Sequence, residues 1–196
     1  MSAPSLHTTW LHKQIERLRA GDRQAQEELV QAVGERMRRL ARRMLRGFPG
    51  ARATADTDDV LQNTLLRLLA ALRTIRPAST RDFFRLASYL TRQELIDLLR
   101  HCAARCAAEP LAPEAAVADP RPSPEHLDAW LRFHLAVADL PDEQREVVSL
   151  AFYHGWTQAQ MAEVLGVDVR TVRRRWAASC LRLREVLREA LDELLG

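Results

Sequence analysis

Apolar residues recur at intervals of three and four along most of this chain, and the strict alternation of a half-buried strand is nearly absent. In HKQIERLRAGDRQAQEELVQAVGERMRRLARRML they fall at Ile15, Leu18, Leu29, Val30, Val33, Met37, Leu40, Ala41 and Met44. Gly21-Asp22 breaks that rhythm, so two helices are expected there, with Asp22 capping the second. GFPGARATADT reads as a turn-rich loop. Asp58 or Asp59 is then placed to cap the helix DVLQNTLLRLLAALRTI, which Pro77 closes. STRDFFRLASYLTRQELIDLLRHCAARC follows, entered through Ser79 or Thr80. These segments predict a compact helical unit over residues 1–106.

The pattern then lapses. AAEPLAPEAAVADPRPSP is rich in alanine and proline and has no sustained apolar face, so 107–124 reads as a flexible linker. Extended at about 3.1 Å per residue it would reach roughly 55 Å, about one and a half turns of B-DNA at roughly 34 Å per turn. A second helical unit fills residues 125–196. The predicted fold class is therefore all-α, in two helical domains.

The second unit contains WTQAQMAEVLGVDVRTVRRRW, residues 156–176. Thr157 and Gln160 have capping-box spacing, and Trp156 and Met161 stand where a hydrophobic staple forms. A helix over 158–165 stops at Gly166, where a left-handed residue turns the chain sharply. Asp168 can cap the helix that follows. Ala162 sits where two crossing helices come closest, and Val172, Trp176 and Leu183 face inward. These are the packing requirements of a helix-turn-helix. Arg170, Thr171 and Arg174 then point outward, with Arg173 and Arg175 on the flanks. Cations oppose the macrodipole at a helix N-terminus, which makes more sense if a phosphate or base edge receives them. A plain hairpin with a solvated basic face is the other reading.

Composition narrows the picture. Hydrophobic residues make up 47% and charged residues 28%, as suits a globular chain with proper cores. The formal charge of +3 does not by itself imply nucleic acid. Lys13 is the only lysine, and every other basic side chain is arginine, whose planar fork suits phosphates and guanine edges. No apolar stretch approaches the roughly 20 residues of a membrane span, so no membrane insertion is expected. The start MSAPSLHTTWLHKQ does not read as a secretory signal, and three cysteines suit reduced thiols. A cytoplasmic location is expected.

With these modules in view, LPDEQREVVSLAFYHGWTQAQMAEVLGVDVRTVRRRWAASCLRL resembles region 4 of bacterial RNA polymerase sigma factors, most closely those of the extracytoplasmic-function (ECF) group. LRAGDRQAQEELVQ is similar to the start of region 2.1, DTDDVLQNTLLRLLAAL to the region 2.2 helix, and DFFRLASYLTRQELIDLLRH to regions 2.3 and 2.4. The resemblance implies a promoter-recognition subunit that binds core RNA polymerase and directs transcription initiation. Its partners would be the β′ clamp and β flap of the polymerase, promoter DNA, and an anti-sigma factor or other regulator. By position, Asp59, Gln62, Asn63 and Leu66 would meet the polymerase, with Leu65 and Leu68 in the core. Ile75 and Arg76, in the loop RTIRPAST that would hold a flipped base, together with Arg92 and Arg100 on the next helix, would contact the minus-ten element. Arg170, Thr171, Arg173, Arg174 and Arg175 would contact the minus-thirty-five element. Two positions depart from the group's pattern: Ile75 stands where an aromatic or polar residue is common, and Leu86 where a tryptophan is common. Phe83, Phe84 and Tyr89 remain as stacking candidates, although aromatics at helical spacing are ordinarily core.

Other constellations lead nowhere chemical. HCAARC brings His101, Cys102 and Cys106 close together, but zinc spacing needs a further ligand pair, so these read as small core residues rather than a zinc site or a redox pair. DTDD lacks the later glycine and glutamate of a calcium loop. No phosphate-binding, zinc-protease or nucleophile-elbow motif is present. The expectation is a protein with no catalytic residues, no metal and no cofactor, and not an enzyme. Two alternatives use the same text: a helix-turn-helix transcription regulator acting without being a polymerase subunit, and an interaction module that does not bind DNA.

Overall fold

The computed structural model describes residues 8–45, 52–108 and 124–195, with side chains over 9–35, 62–100, 103–104 and 127–188. The regular structure among them is all α-helical. The first half holds α1 (Thr8–Arg19), α2 (Arg23–Leu45), α3 (Arg52–Thr74) and α4 (Thr80–Ala108), and the second holds α5 (Pro124–Asp139), α6 (Asp142–Phe152), α7 (Gln158–Leu165) and α8 (Val169–Leu195).

Local chemistry sets most of these boundaries. Gly21 ends α1 at φ 87°, in the left-handed region that only glycine enters freely. The Gly21 and Asp22 N–H groups donate back to Leu18 and Arg17 carbonyls, each at 3.0 Å, satisfying acceptors that the helix end would otherwise orphan. Asp22 then caps α2, its Oδ1 accepting from the Gln24 and Ala25 N–H groups at 2.9 and 3.3 Å. Ser79 caps α4 by accepting from the Asp82 N–H at 3.1 Å. Pro124 opens α5 from the first helical position, where its missing N–H costs nothing.

One start differs from expectation. Because α3 begins at Arg52, Asp58 and Asp59 lie inside the helix rather than capping it, and the loop expected through residue 57 is helical from 52 onward. Residues 52–58 hold neither glycine nor proline, so nothing in them stops a helix from propagating backward at one bond per residue. At the other end α4 runs on through residues 107 and 108, and 109–123 of the expected linker lie outside the described residues.

The two halves share a core. Leu11, Ile15, Leu29, Leu68, Phe83 and Phe84 from the first half pack with Leu150, Trp156, Met161, Leu165 and Val172 from the second. Phe84 is the hinge pin of this contact, with ring centroids 4.7 Å from Trp156 and 4.9 Å from His154, both edge to face. A smaller cluster of Val137, Leu140, Val148, Tyr153 and Leu183 joins α5, α6 and α8. Within the first half, α2 and α3 approach so closely at Gly34 that an added Cβ would lie 2.8 Å from Leu65 Cδ1.

Several polar groups pair across the contact. Glu146 on α6, only 7% exposed, accepts from Arg81 Nε and Nη2 on α4 at 2.9 and 2.6 Å, and Arg85 Nε stands 3.5 Å away. That bidentate geometry raises the Arg81 pKa above its ordinary value. Ser88 Oγ and His154 Nε2 share a buried hydrogen bond of 2.8 Å.

Candidate nucleic-acid interface

The basic surface is built by the turn that precedes it. Thr157 Oγ1 accepts from the Gln160 N–H at 3.3 Å while Gln160 Oε1 accepts from the Thr157 N–H at 3.0 Å, a reciprocal cap at the start of α7. Trp156 and Met161 bracket it, both buried. α7 stops at Gly166, φ 65°, and the Val167 N–H donates to the Ala162 carbonyl at 3.0 Å. This is the same closing geometry as at Gly21. Asp168 Oδ1 then accepts from the Arg170 N–H at 2.6 Å and starts α8.

Packing sets the phase of α8. Val172 is fully buried, Leu183 is buried and Trp176 is partly covered, so the opposite face carries Arg170 and Arg174 into solvent. Thr171 is half-buried. Arg173 is exposed and its Nε donates to Gln158 Oε1 on α7 at 3.1 Å, which steadies the guanidinium beside the turn. Arg175 differs: it folds back against Glu143 at 2.5 Å, with its side chain 15% exposed. Arg170, Arg173 and Arg174 thus present guanidinium groups at the opening turns of a helix with no acidic residue in its first turn.

On the first half, Gln62, Asn63 and Leu66 are exposed on one side of α3, Leu66 at 55%, while Leu68 is fully buried and Leu65 is half-buried on the other. The side chain of Asp59 lies outside the described residues. Ile75 and Arg76 are exposed in the connection between α3 and α4, and Arg100 is exposed further along α4, 4.0 Å from Asp97. Arg92 is buried beneath the second half. Among the stacking candidates Phe83 and Phe84 are core, and Tyr89 stands half in solvent. The side chains of His101, Cys102 and Cys106 lie outside the described residues.

Sequence reasoning missed the polar groups that join the halves. Arg81, Arg85 and Ser88 lie on α4, some 60 residues or more from Glu146 and His154, and no local spacing links them. A faint signal existed in Arg81 and Arg85, four apart on one helix face.

The described helices include none long and apolar enough to cross a membrane. Relatives accord with the geometry. A probable RNA polymerase sigma factor, RfaY of Xanthomonas campestris pv. campestris, is 28% identical over 193 residues, covering 93% of this chain and 45% of its own length. The ECF RNA polymerase sigma factor SigM of Mycobacterium tuberculosis is 29% identical over 171 residues, covering 86% of this chain and 80% of its own. The chain thus spans less than half the length of the first relative and most of the second. The family described as ECF sigma factor matches residues 9–191, nearly the whole chain and both helical halves, and the chain belongs to that family.

Proposed function

We propose that this chain binds core RNA polymerase through the exposed side of α3 and directs it to promoters through α8. Membership of the ECF sigma factor family supports reading it as a transcription-initiation factor rather than an enzyme. The observation that carries the DNA reading is the outward trio Arg170, Arg173 and Arg174 on a helix whose phase is pinned by fully buried Val172. Arg170 and Arg174 are the base readers at the minus-thirty-five element, and Arg173, tethered to Gln158, is a phosphate contact. Arg175, engaged by Glu143, contributes only if that pair opens.

The polymerase reading is supported by Leu66, a large apolar side chain left in solvent beside Gln62 and Asn63, as suits a small protein-binding patch. Ile75, Arg76 and Arg100 are free to meet minus-ten DNA as the protein stands. Arg92 can join them only after α5 and α6 move off α4. The partners are then the β′ clamp and β flap of the polymerase, promoter DNA and a regulator such as an anti-sigma factor, in the cytoplasm. A regulator acting without polymerase is the less favoured reading, since the family match takes in the first half as well as the second.

Run-off transcription with core polymerase on a promoter library tests this, read alongside salt titrations of promoter binding. Arg170→Ala or Arg174→Ala should relax preference at one or two promoter positions, a loss of about 1–3 kcal/mol of discrimination. Arg173→Ala should weaken all promoters alike and flatten the salt dependence by about one unit of slope. Equal losses at every promoter for all three variants would reduce α8 to an electrostatic clamp.

A further inference from the structure

Where α4 faces α6, the halves frame an open cleft of about 410 Å³ whose lining includes Arg81, Arg85, Tyr89, Arg92, Arg145 and Glu146. Its size is that of a small-molecule site. Its charges do not balance: four arginines line it against the carboxylates of Asp142 and Glu146, a surplus of two positive charges. Arg81 and Arg85 share Glu146, and Arg145 pairs with Asp142 at the exposed rim.

Arg92 is left over. It is 6% exposed, and among the described residues no carboxylate lies within ion-pair distance of it. Its guanidinium hydrogen-bonds the Tyr153 hydroxyl, and its Nε has no partner at all. An arginine cannot shed its proton to escape burial, and a buried charge without a counter-charge is strongly unfavourable. Closing the halves over Arg92 therefore favours an anion beside its guanidinium.

We propose that this cleft binds a small phosphate-bearing anion that bridges the two halves, with Arg92 as its buried anchor. A phosphomonoester carries close to two negative charges near neutrality, which matches the surplus in the lining. The planar guanidinium fork suits phosphate oxygens. Half-exposed Tyr89 is part of the lining, and stacking of a base on it would let the site hold a nucleotide as well as phosphate. Because the lining comes from both halves, the anion favours the closed arrangement and opposes any partner that needs α4 uncovered.

The intact chain would be titrated with inorganic phosphate and with AMP, holding ionic strength constant with chloride, while calorimetric binding and thermal melting are followed. Saturable binding that raises the melting temperature is expected, along with a loss of affinity of about tenfold or more in Arg92→Gln. Arg85→Gln, at the more exposed wall, gives a second variant with a smaller loss in the same direction, and the remote, exposed Arg188→Gln should bind as the parent does. Tighter binding of AMP than of phosphate assigns the site to a nucleotide, and equal binding assigns it to the free anion. A response no greater than that to chloride, or undiminished binding in both Arg92→Gln and Arg85→Gln, overturns the proposal.

Discussion

Gly166 and His134 each answer for a single strained or buried choice. The Gly166 φ of 65° meets no neighbour within 4 Å of a would-be Cβ, so the obstacle to a side chain there is backbone conformation alone. Gly166→Ala should cost about 1–2 kcal/mol in urea unfolding and weaken promoter binding by tilting α8 against α7. His134 is buried with its Nδ1 2.9 Å from the Tyr153 hydroxyl. Since Arg92 donates to that oxygen, the hydroxyl proton goes to Nδ1 and the imidazole stays neutral. Burial, aided by the nearby charge of Arg92, lowers the His134 pKa from 6.5 to about 4. The unfolded chain therefore takes up the proton first. Stability that is complete above pH 6.5 should fall as the pH drops toward 4, by about 3 kcal/mol in all. Urea midpoints at pH 7.5 and pH 4.5 measure this, and His134→Gln, which does not titrate, should flatten the difference.

Helix α3 shows at the scale of an element how one stretch serves two purposes. Leu66 and Leu68 are two residues apart on opposite sides, one 55% exposed and the other fully buried. Leu68→Ala should lower stability by about 2–5 kcal/mol through cavity formation. Charge at Gln62 and Leu66 should abolish polymerase binding, measured by co-purification, with the helical circular-dichroism signal unchanged. If Gln62→Glu with Leu66→Glu unfolds the chain instead, that side is core. The family resemblance implied this phase in advance, and local spacing made legible the inward Val172 and the caps at Asp22, Thr157 and Asp168, because each depends on neighbours within a turn or two. The start of α3 was not legible: acidic residues at 58 and 59 resemble caps, and only the lack of a breaker before them tells otherwise. The burial of Arg92 was hidden for a different reason. Its position on α4 suited DNA contact, and its burial depends on α5 and α6, elements more than thirty residues further on.

For the whole molecule the decisive fact is the core shared between halves that the sequence presents as separate units. Protease should cut first between residues 107 and 124, where alanine and proline interrupt the helical pattern. The two pieces should nevertheless co-elute on native size exclusion, held by Phe84 against Trp156 and by Glu146 against Arg81 and Arg85. Phe84→Ala should separate the nicked pieces and enlarge the radius of gyration of the intact chain in X-ray scattering. Pieces that part as soon as the parent chain is nicked would show that the shared core is too weak to hold the closed form.

That shared core also fixes how the closed form competes. Glu146 and its arginines meet within one chain, so each half sees the other at an effective concentration set by the connecting segment. Dilution cannot open such a contact, whereas it readily dissolves one between separate molecules. A partner that recognises only the uncovered face of α4 has its apparent affinity reduced by the fraction of molecules that are open. Severing the chain between residues 107 and 124 removes that internal competitor once the pieces are diluted. The isolated first half should then bind such a partner more tightly than the whole protein does, by the factor that the closed state had withheld.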